Sequence, residues 1–543
     1  MMSNLNDKNI EHVVVLMLEN RGFDHLMGSL YTEADKINLI SKHSDNRPFI
    51  GLLTLSEDAF KALGNKIPKN PYKRVEPIFG ARSPKVPSVN PGEHFVHIMG
   101  QMWGIVDKHA NWGDRQHRES TIAEIQHSTG NDFAPMDGYI LDYYQTLKSI
   151  NTEVDESAFI EIMETYIPEQ LPVLSGLAQN YAVSDEWYCS VPSQTNTNRA
   201  FSMAGTARGM VSNNFYDAFI GFQSSIQNPG IAAMSNIGAL QGHGGSHADK
   251  LPKDTRNIFG LLSEHGSSWH VYWQDLWPPE DVSLGKQYQY VQTMFPDLDS
   301  ETMADNFIKF DASDPNNELF YDIRTGNLPA VSWIEPKWGG GPSWKSGIRQ
   351  VGNDMHPSCD TTVSEDFVCA LYNALSDSPK WENTLFVITF DENGGTYDHV
   401  YPPYASPSYL DRAPMPKDYQ HMDPDTRTEF GFKFDQLGIR VPTILISPLI
   451  KANTVFRSSS YTPYDHTSII ATILEWQNID RKYWQLGKRV EQAPTFDDVL
   501  QLTKVRSKTV VSQALSAGSL ATEERANQQN MIYEQEFYLQ YVD

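Results

Sequence analysis

The chain has 543 residues, 40% of them hydrophobic and 11% aromatic, enough for large cores and for about two to four domains. Its formal charge of −25 lacks the basic footprint that nucleic-acid binding needs, and it disfavours strongly anionic membranes as a resting surface. Three cysteines (Cys189, Cys359 and Cys369) with no CxxC spacing exclude a disulfide framework.

In chain order, the N-terminus MMSNLNDKNIEH carries no basic region followed by an apolar core, so no signal peptide is expected. No run of about twenty apolar residues occurs, so no transmembrane segment is expected either. The expectation is a soluble protein, cytoplasmic by default or exported by a route without a cleaved signal. Strand-like runs recur at 13–18, 269–273, 330–334, 384–390 and 441–446. Between the third and fourth, Thr362-Val-Ser-Glu365 fits a capping box, and Phe367, Val368, Leu371, Tyr372 and Leu375 recur at helical spacing. Strand, helix, strand is the parallel βαβ unit, so the fold class is α/β with a doubly wound sheet.

Residues 40–93 have weak periodicity and read as an irregular surface excursion. Insertions at about 208–310 and 401–432 would form the rim of a site, since long loops in compact domains are usually functional. One catalytic domain over 1–500 is expected, followed by a C-terminal appendage over 501–543 with a helical pattern at 521–538.

Chemistry concentrates where two apolar runs break into oxygen-rich side chains. Residues 13–25 read VVVLMLENRGFDH and residues 386–400 read FVITFDENGGTYDHV. Glu19-Asn20 and Asp391-Glu392 thus follow two buried strands, and α/β sheets place their ligands beyond the carboxyl ends of strands. Two such ends suggest one shared cation site, and hard oxygens suit Mg, Ca or Mn, with zinc also accepting carboxylates. The segment 191–199, VPSQTNTNR, reads either as a turn opening a helix or as a hydroxyl nucleophile at a helix N-terminus. Histidines stand at His356 (in GNDMHP), at His399 beside Asp398, and at His466 in YDHTS. His270 faces either a site or the core, with the core favoured; His243 and His247 are separated by Gly-Gly, which argues against a rigid helical pair.

Together these segments resemble the bacterial and plant phosphoesterase family that contains nonspecific phospholipases C and a respiratory-burst-inhibiting acid phosphatase. The likeness rests on EHVVVLMLENRGFDHLMG, VPSQTNTNRAFSMAGTA, VSWIEPKW, GNDMHPSCD, LFVITFDENGGTYDHVYPP, LGIRVPTILISP and YDHTSIIATILEW. It implies an alkaline-phosphatase-like, mainly parallel sheet flanked by helices. It also implies metal ligands Glu19, Asn20, Asp391, Glu392 and Thr195, with Thr195 the nucleophile although Thr197 replaces the family's usual Pro. His356 matches the family's HP histidine and would touch phosphate or leaving group, and the Asn198 amide would stabilise developing charge. Where the family often reads DPGH, this chain reads NPGEH, so His94 is displaced by one. His94 and His399 complete the implied catalytic set, and Arg199, His270, Asp354 and His466 the substrate-binding set. The implied cofactor is a divalent metal, zinc first, with calcium or manganese as alternatives. The implied activity is phospholipase C action on phospholipid at a membrane or micelle surface. A broad-specificity acid phosphatase is the alternative, and the oligomeric state stays open.

Overall fold

In a computed structural model, the structure describes residues 4–41, 45–68, 70–106, 120–125, 133–150, 154–213, 251, 255–274, 290–298, 300–338, 352–405 and 428–511. The apolar runs become the centre of one sheet, whose nine strands among the described residues are β1 (His12–Leu18), β2 (Asn38–Ile40), β3 (Ala182–Ser184), β4 (Trp269–Trp273), β5 (Phe307–Lys309), β6 (Val331–Ile334), β7 (Thr384–Phe390), β8 (Thr443–Ile446) and β9 (Thr454–Phe456). Their order is β5-β4-β6-β1-β7-β8-β3-β9-β2. Only β8 is reversed, pairing antiparallel with both β7 and β3. Every residue of β1 and β7 is buried, as strands covered on both faces must be.

Eight helices matter for the site and its support: α1 (Phe23–Met27), α2 (Phe95–Trp103), α3 (Tyr139–Ile150), α4 (Pro172–Asn180), α5 (Thr195–Ala204), α6 (Glu318–Thr325), α7 (Thr361–Asp377) and α8 (Thr467–Trp476). Helix α5 packs on α8, and α7 packs on α4 and α6. The expected crossover from β6 through α7 to β7 is present, but it steps over β1, which lies between them. Register then sets the site: β1 and β7 pair in parallel from His12↔Thr384 to Leu18↔Phe390. The two strands therefore end level, and Glu19 emerges beside Asp391.

Three expectations change in detail. The capping box is absent: Asp360 caps α7, accepting from Thr362 N at 3.1 Å. Glu365 instead turns to α4 and accepts from Val173 N and Leu174 N at 2.6 and 2.9 Å, because the first turn of α4 offers two unpaired amides. Residues 40–93 are more regular than expected, with a helix at Glu57–Ala62 and a hairpin of Asn65–Ile67 and Asn70–Val75. Ile67 of that hairpin joins Ile98, Met102, Tyr139 and Ile140 in a second apolar cluster. Residues 501–511 lie along the core: Leu502 N donates to Leu449 O at 2.9 Å and the Arg506 guanidinium covers the Tyr181 ring at 4.3 Å. The expected helical pattern at 521–538 and most of the expected rim loops fall outside the described residues. No helix among the described residues is long and apolar enough to cross a membrane.

Candidate active site

The level ends of β1 and β7 bring Glu19, Asn20, Asp391 and Glu392 together, all at most 1% exposed. Asp391 Oδ1 accepts from the backbone N of Asn20 at 2.9 Å and of Glu392 at 2.8 Å, which locks the two strand ends to each other. Gly394 follows at φ 57°, where a Cβ would lie 2.1 Å from Asn20 O, so the turn closes only with glycine. Opposite stands Thr195, the first residue of α5, with Oγ1 3.3 Å from Glu19 Oε2 and 3.2 Å from Asn20 Oδ1. The neighbouring hydroxyls point elsewhere: Ser193 donates to Val211 O and Thr197 to Met210 O.

A fourth acidic group was not anticipated. Glu93 Oε2 accepts from Asn20 Nδ2 at 2.7 Å and lies 3.9 Å from His356 Nε2. The Asn20 amide thus joins Thr195 on its oxygen to Glu93 on its nitrogen. Of these carboxylates, Glu19 and Asp391 meet the Arg199 guanidinium, which bonds Glu19 Oε1 through Nε at 2.9 Å and sits 3.6 Å from Asp391 Oδ2. Burial pushes Glu19 well above the ordinary carboxylate range; Arg199 pulls it back, and Asp391 and Asp354 push it further. Glu392 is raised likewise by burial, then by Glu93 and Asp391. Asp391 Oδ2 and Glu392 Oε1 are buried without a hydrogen bond among the described residues. A surplus of buried carboxylate with orphaned oxygens is a set that could hold a hard divalent cation.

The family comparison agrees with this geometry. A model of the Phosphoesterase family matches residues 10–480. The chain belongs to that family. This phosphoesterase is 27% identical over 502 residues to non-specific phospholipase C3 of Arabidopsis thaliana, covering 92% of this chain and 75% of the relative. It is 23% identical to the non-hemolytic phospholipase C of Burkholderia pseudomallei, covering 86% and 55%. A solved protein of the alkaline phosphatase superfamily from Vibrio parahaemolyticus covers 69% of this chain and 83% of its own, at 10% identity and a TM-score of 0.27. The α/β assignment rests on the sheet order.

The other expected residues of this phosphoesterase take different places. His94 is the N-cap residue of α2, and the preceding Glu93 takes the position facing Asn20. Asn198 is consumed by the loop ahead of Thr195: Oδ1 accepts from Val191 N at 3.0 Å while Nδ2 donates to Val191 O, Ser193 O and Gln194 O. It holds the loop ahead of Thr195, and its amide is fully engaged there. Arg199, fully buried under the Trp338 ring at 4.6 Å, binds Glu19 rather than a substrate. Asp354 supports from below, its carbonyl accepting from Glu19 N at 2.7 Å and its Oδ1 from His356 N at 3.2 Å.

His466 is buried behind the strand end, between Trp187 Nε1 at 3.3 Å and the Asp391 carbonyl at 2.5 Å, so it positions Asp391 and does not meet solvent. Burial lowers its pKa, which fits a neutral ring donating from Nε2. His399 is drawn off by Asp24, whose Oδ2 lies 2.5 Å from His399 Nδ1, after the Gly394-Gly395 turn carries the chain away. His270 pairs in register with Ser332, which is level with Val14. That is five residues before Glu19, about 16 Å down the sheet; its ring meets Tyr272 OH at 3.2 Å instead. Glu93 had a signal in NPGEH: a carboxylate stands where a histidine was expected.

Proposed function

We propose that this phosphoesterase is a metal-dependent phospholipase C. It would cleave glycerophospholipids such as phosphatidylcholine to diacylglycerol and a phosphorylated headgroup, through a phospho-threonine. The observation that carries this is the Thr195 hydroxyl held within 3.3 Å of Glu19 and Asn20 at the ends of two parallel strands. A divalent cation on these oxygens, zinc first, with calcium or manganese as alternatives, would lower the pKa of a ligating hydroxyl and offset phosphate charge.

The chain's own groups account for the rest. Thr195 Oγ1 forms the bond to phosphorus as the bond to the diacylglycerol oxygen breaks in line; its proton passes to Glu19 Oε2 and returns to Oγ1 when water displaces the threonine from phosphorus. His356 Nδ1 donates to Pro357 O at 2.5 Å, which leaves Nε2 turned toward Glu93 and the reacting space. From Nε2 a proton passes to the departing oxygen, and the same atom then accepts one from the water that hydrolyses the phospho-threonine. Arg199 fixes Glu19 through Oε1 and favours its ionised form against the opposing effect of burial. Support for a phospholipid substrate comes from the relatives' names, and the charge of −25 favours a zwitterionic surface over an anionic one.

The test incubates metal-free and Zn-, Mn- or Ca-reloaded protein with phosphatidylcholine vesicles and separately with p-nitrophenyl phosphate, using Thr195→Ala as the blank. Metal-dependent diacylglycerol release, lost by about 1,000-fold or more in Thr195→Ala, is expected. Release from the monoester alone would replace this reading by the acid phosphatase, and near-full turnover in Thr195→Ala would remove Thr195 as nucleophile.

A further inference from the structure

We infer that Glu93 is a specificity-determining residue, its carboxylate selecting phosphodiester monoanions against phosphomonoester dianions. The inference rests on the reading of Thr195 as the residue that meets phosphorus. The Asn20 amide is the ruler: Thr195 Oγ1 sits 3.2 Å from its oxygen and Glu93 Oε2 2.7 Å from its nitrogen. Glu93 also meets the side chain of Gln194, the residue before Thr195, and lies 3.9 Å from His356 Nε2. Nucleophile, proton donor and carboxylate therefore border the same space, and the carboxylate is 4% exposed.

A diester of a zwitterionic lipid presents one negative charge at phosphorus, and a monoester at neutral pH presents two. The added charge strengthens the attraction to every cationic group and the repulsion from Glu93 alike, so the contribution of the Glu93 carboxylate itself always runs against the monoester. Selectivity of this kind comes from a repulsive element facing the wrong ligand. The same charge disfavours retention of the product, because the phosphorylated headgroup released by the reaction is itself a monoester dianion.

The experiment compares wild type with Glu93→Gln, which keeps the shape and can still accept from Asn20 Nδ2. Two readouts run in parallel on metal-loaded protein: kcat/KM for bis(p-nitrophenyl) phosphate and p-nitrophenyl phosphate, and calorimetric binding of diphenyl phosphate and phenyl phosphate. Bound metal is measured in each preparation. The expected result is a monoester-to-diester ratio raised about tenfold or more in both readouts, with metal content unchanged. An unchanged ratio overturns the inference. Loss of the metal would make Glu93 a ligand, and loss of diester turnover with binding intact would make it part of the chemistry; either also overturns it. If wild type cleaves neither ester, the phospholipase reading fails while the binding ratio still decides the role of Glu93.

Discussion

Two buried acidic clusters flank the turns that follow β1 and β7, and they solve the same electrostatic problem in opposite ways. Asp24, Asp398 and His399 present ligand atoms within 4.8 Å of one another, a spacing that by itself would pass for a metal triad. Arg440 fills it: Nη2 donates to Asp24 Oδ1 at 2.9 Å and Nε to Asp398 Oδ1 at 3.1 Å. Burial pushes Asp24 up, but His399 and Arg440 outweigh it and hold its carboxyl below the ordinary range. The strand-end cluster has more carboxylate and less compensation, with Arg199 bonded to Glu19 while Asp391 Oδ2 and Glu392 Oε1 accept no hydrogen bond among the described residues. Ligand type and spacing therefore do not mark a cation site. The mark of the proposed cation site is charge that the chain leaves unbalanced.

The contrast can be broken by removing one charge from each side. Asp391→Asn keeps the contact to Asn20 N but removes a charge from the unbalanced cluster. It should lower divalent-cation affinity by at least about 100-fold while the fold persists; calorimetric titration and metal content after gel filtration read this directly. Arg440→Met should do the reverse. It strands Asp24 and Asp398 without their cation and should cost about 3–5 kcal/mol of stability, as for a buried pair stripped of one partner. Urea unfolding measures that loss, and the folded fraction should bind metal as wild type does. If Arg440→Met released the metal, or Asp391→Asn cost more stability than Arg440→Met, the division between a ligand cluster and a structural one would fall.

Much of this was legible in the chain. Two fully apolar runs, each ending in adjacent oxygen side chains, implied two buried strands meeting at one site, and the β1–β7 register does place Glu19 beside Asp391. Thr195 could be singled out only by resemblance, because three hydroxyls crowd 193–197 and their directions depend on how Asn198 staples the loop. Histidines misled most. His399, His466 and His270 each stand beside plausible partners in sequence, yet Asp24 at 375 positions away, the Asp391 carbonyl and Tyr272 claim their rings. Such partners are set by tertiary packing and leave no local trace. Glu93 was hidden by the weak periodicity of 40–93, where expectation fell on the next residue, His94. The capping box failed for a related reason: Glu365 found two free amides on another helix before those of its own.

Glu365 also extends the comparison to a third way of burying a carboxylate, with neither metal nor guanidinium. Among the described residues, its oxygens accept from the amides of Val173 and Leu174 at the start of α4. Burial raises its pKa from an ordinary 4.5 to about 8, with the two amides pulling the other way. The sign follows from linkage. A folded-state pKa above the unfolded value means that the folded chain holds the proton more tightly, so this contribution to stability is full below about 4.5 and is lost as pH rises through 8. Glu365→Gln keeps one acceptor for α4 and has no proton to lose. The melting temperature of wild type minus that of Glu365→Gln should therefore fall steadily between pH 4.5 and 8, by a few degrees in a domain of this size. A difference that stays level across that range would mean that two amides hold the charge as His399 and Arg440 together hold that of Asp24, and that a helix N-terminus can stand in for a buried cation.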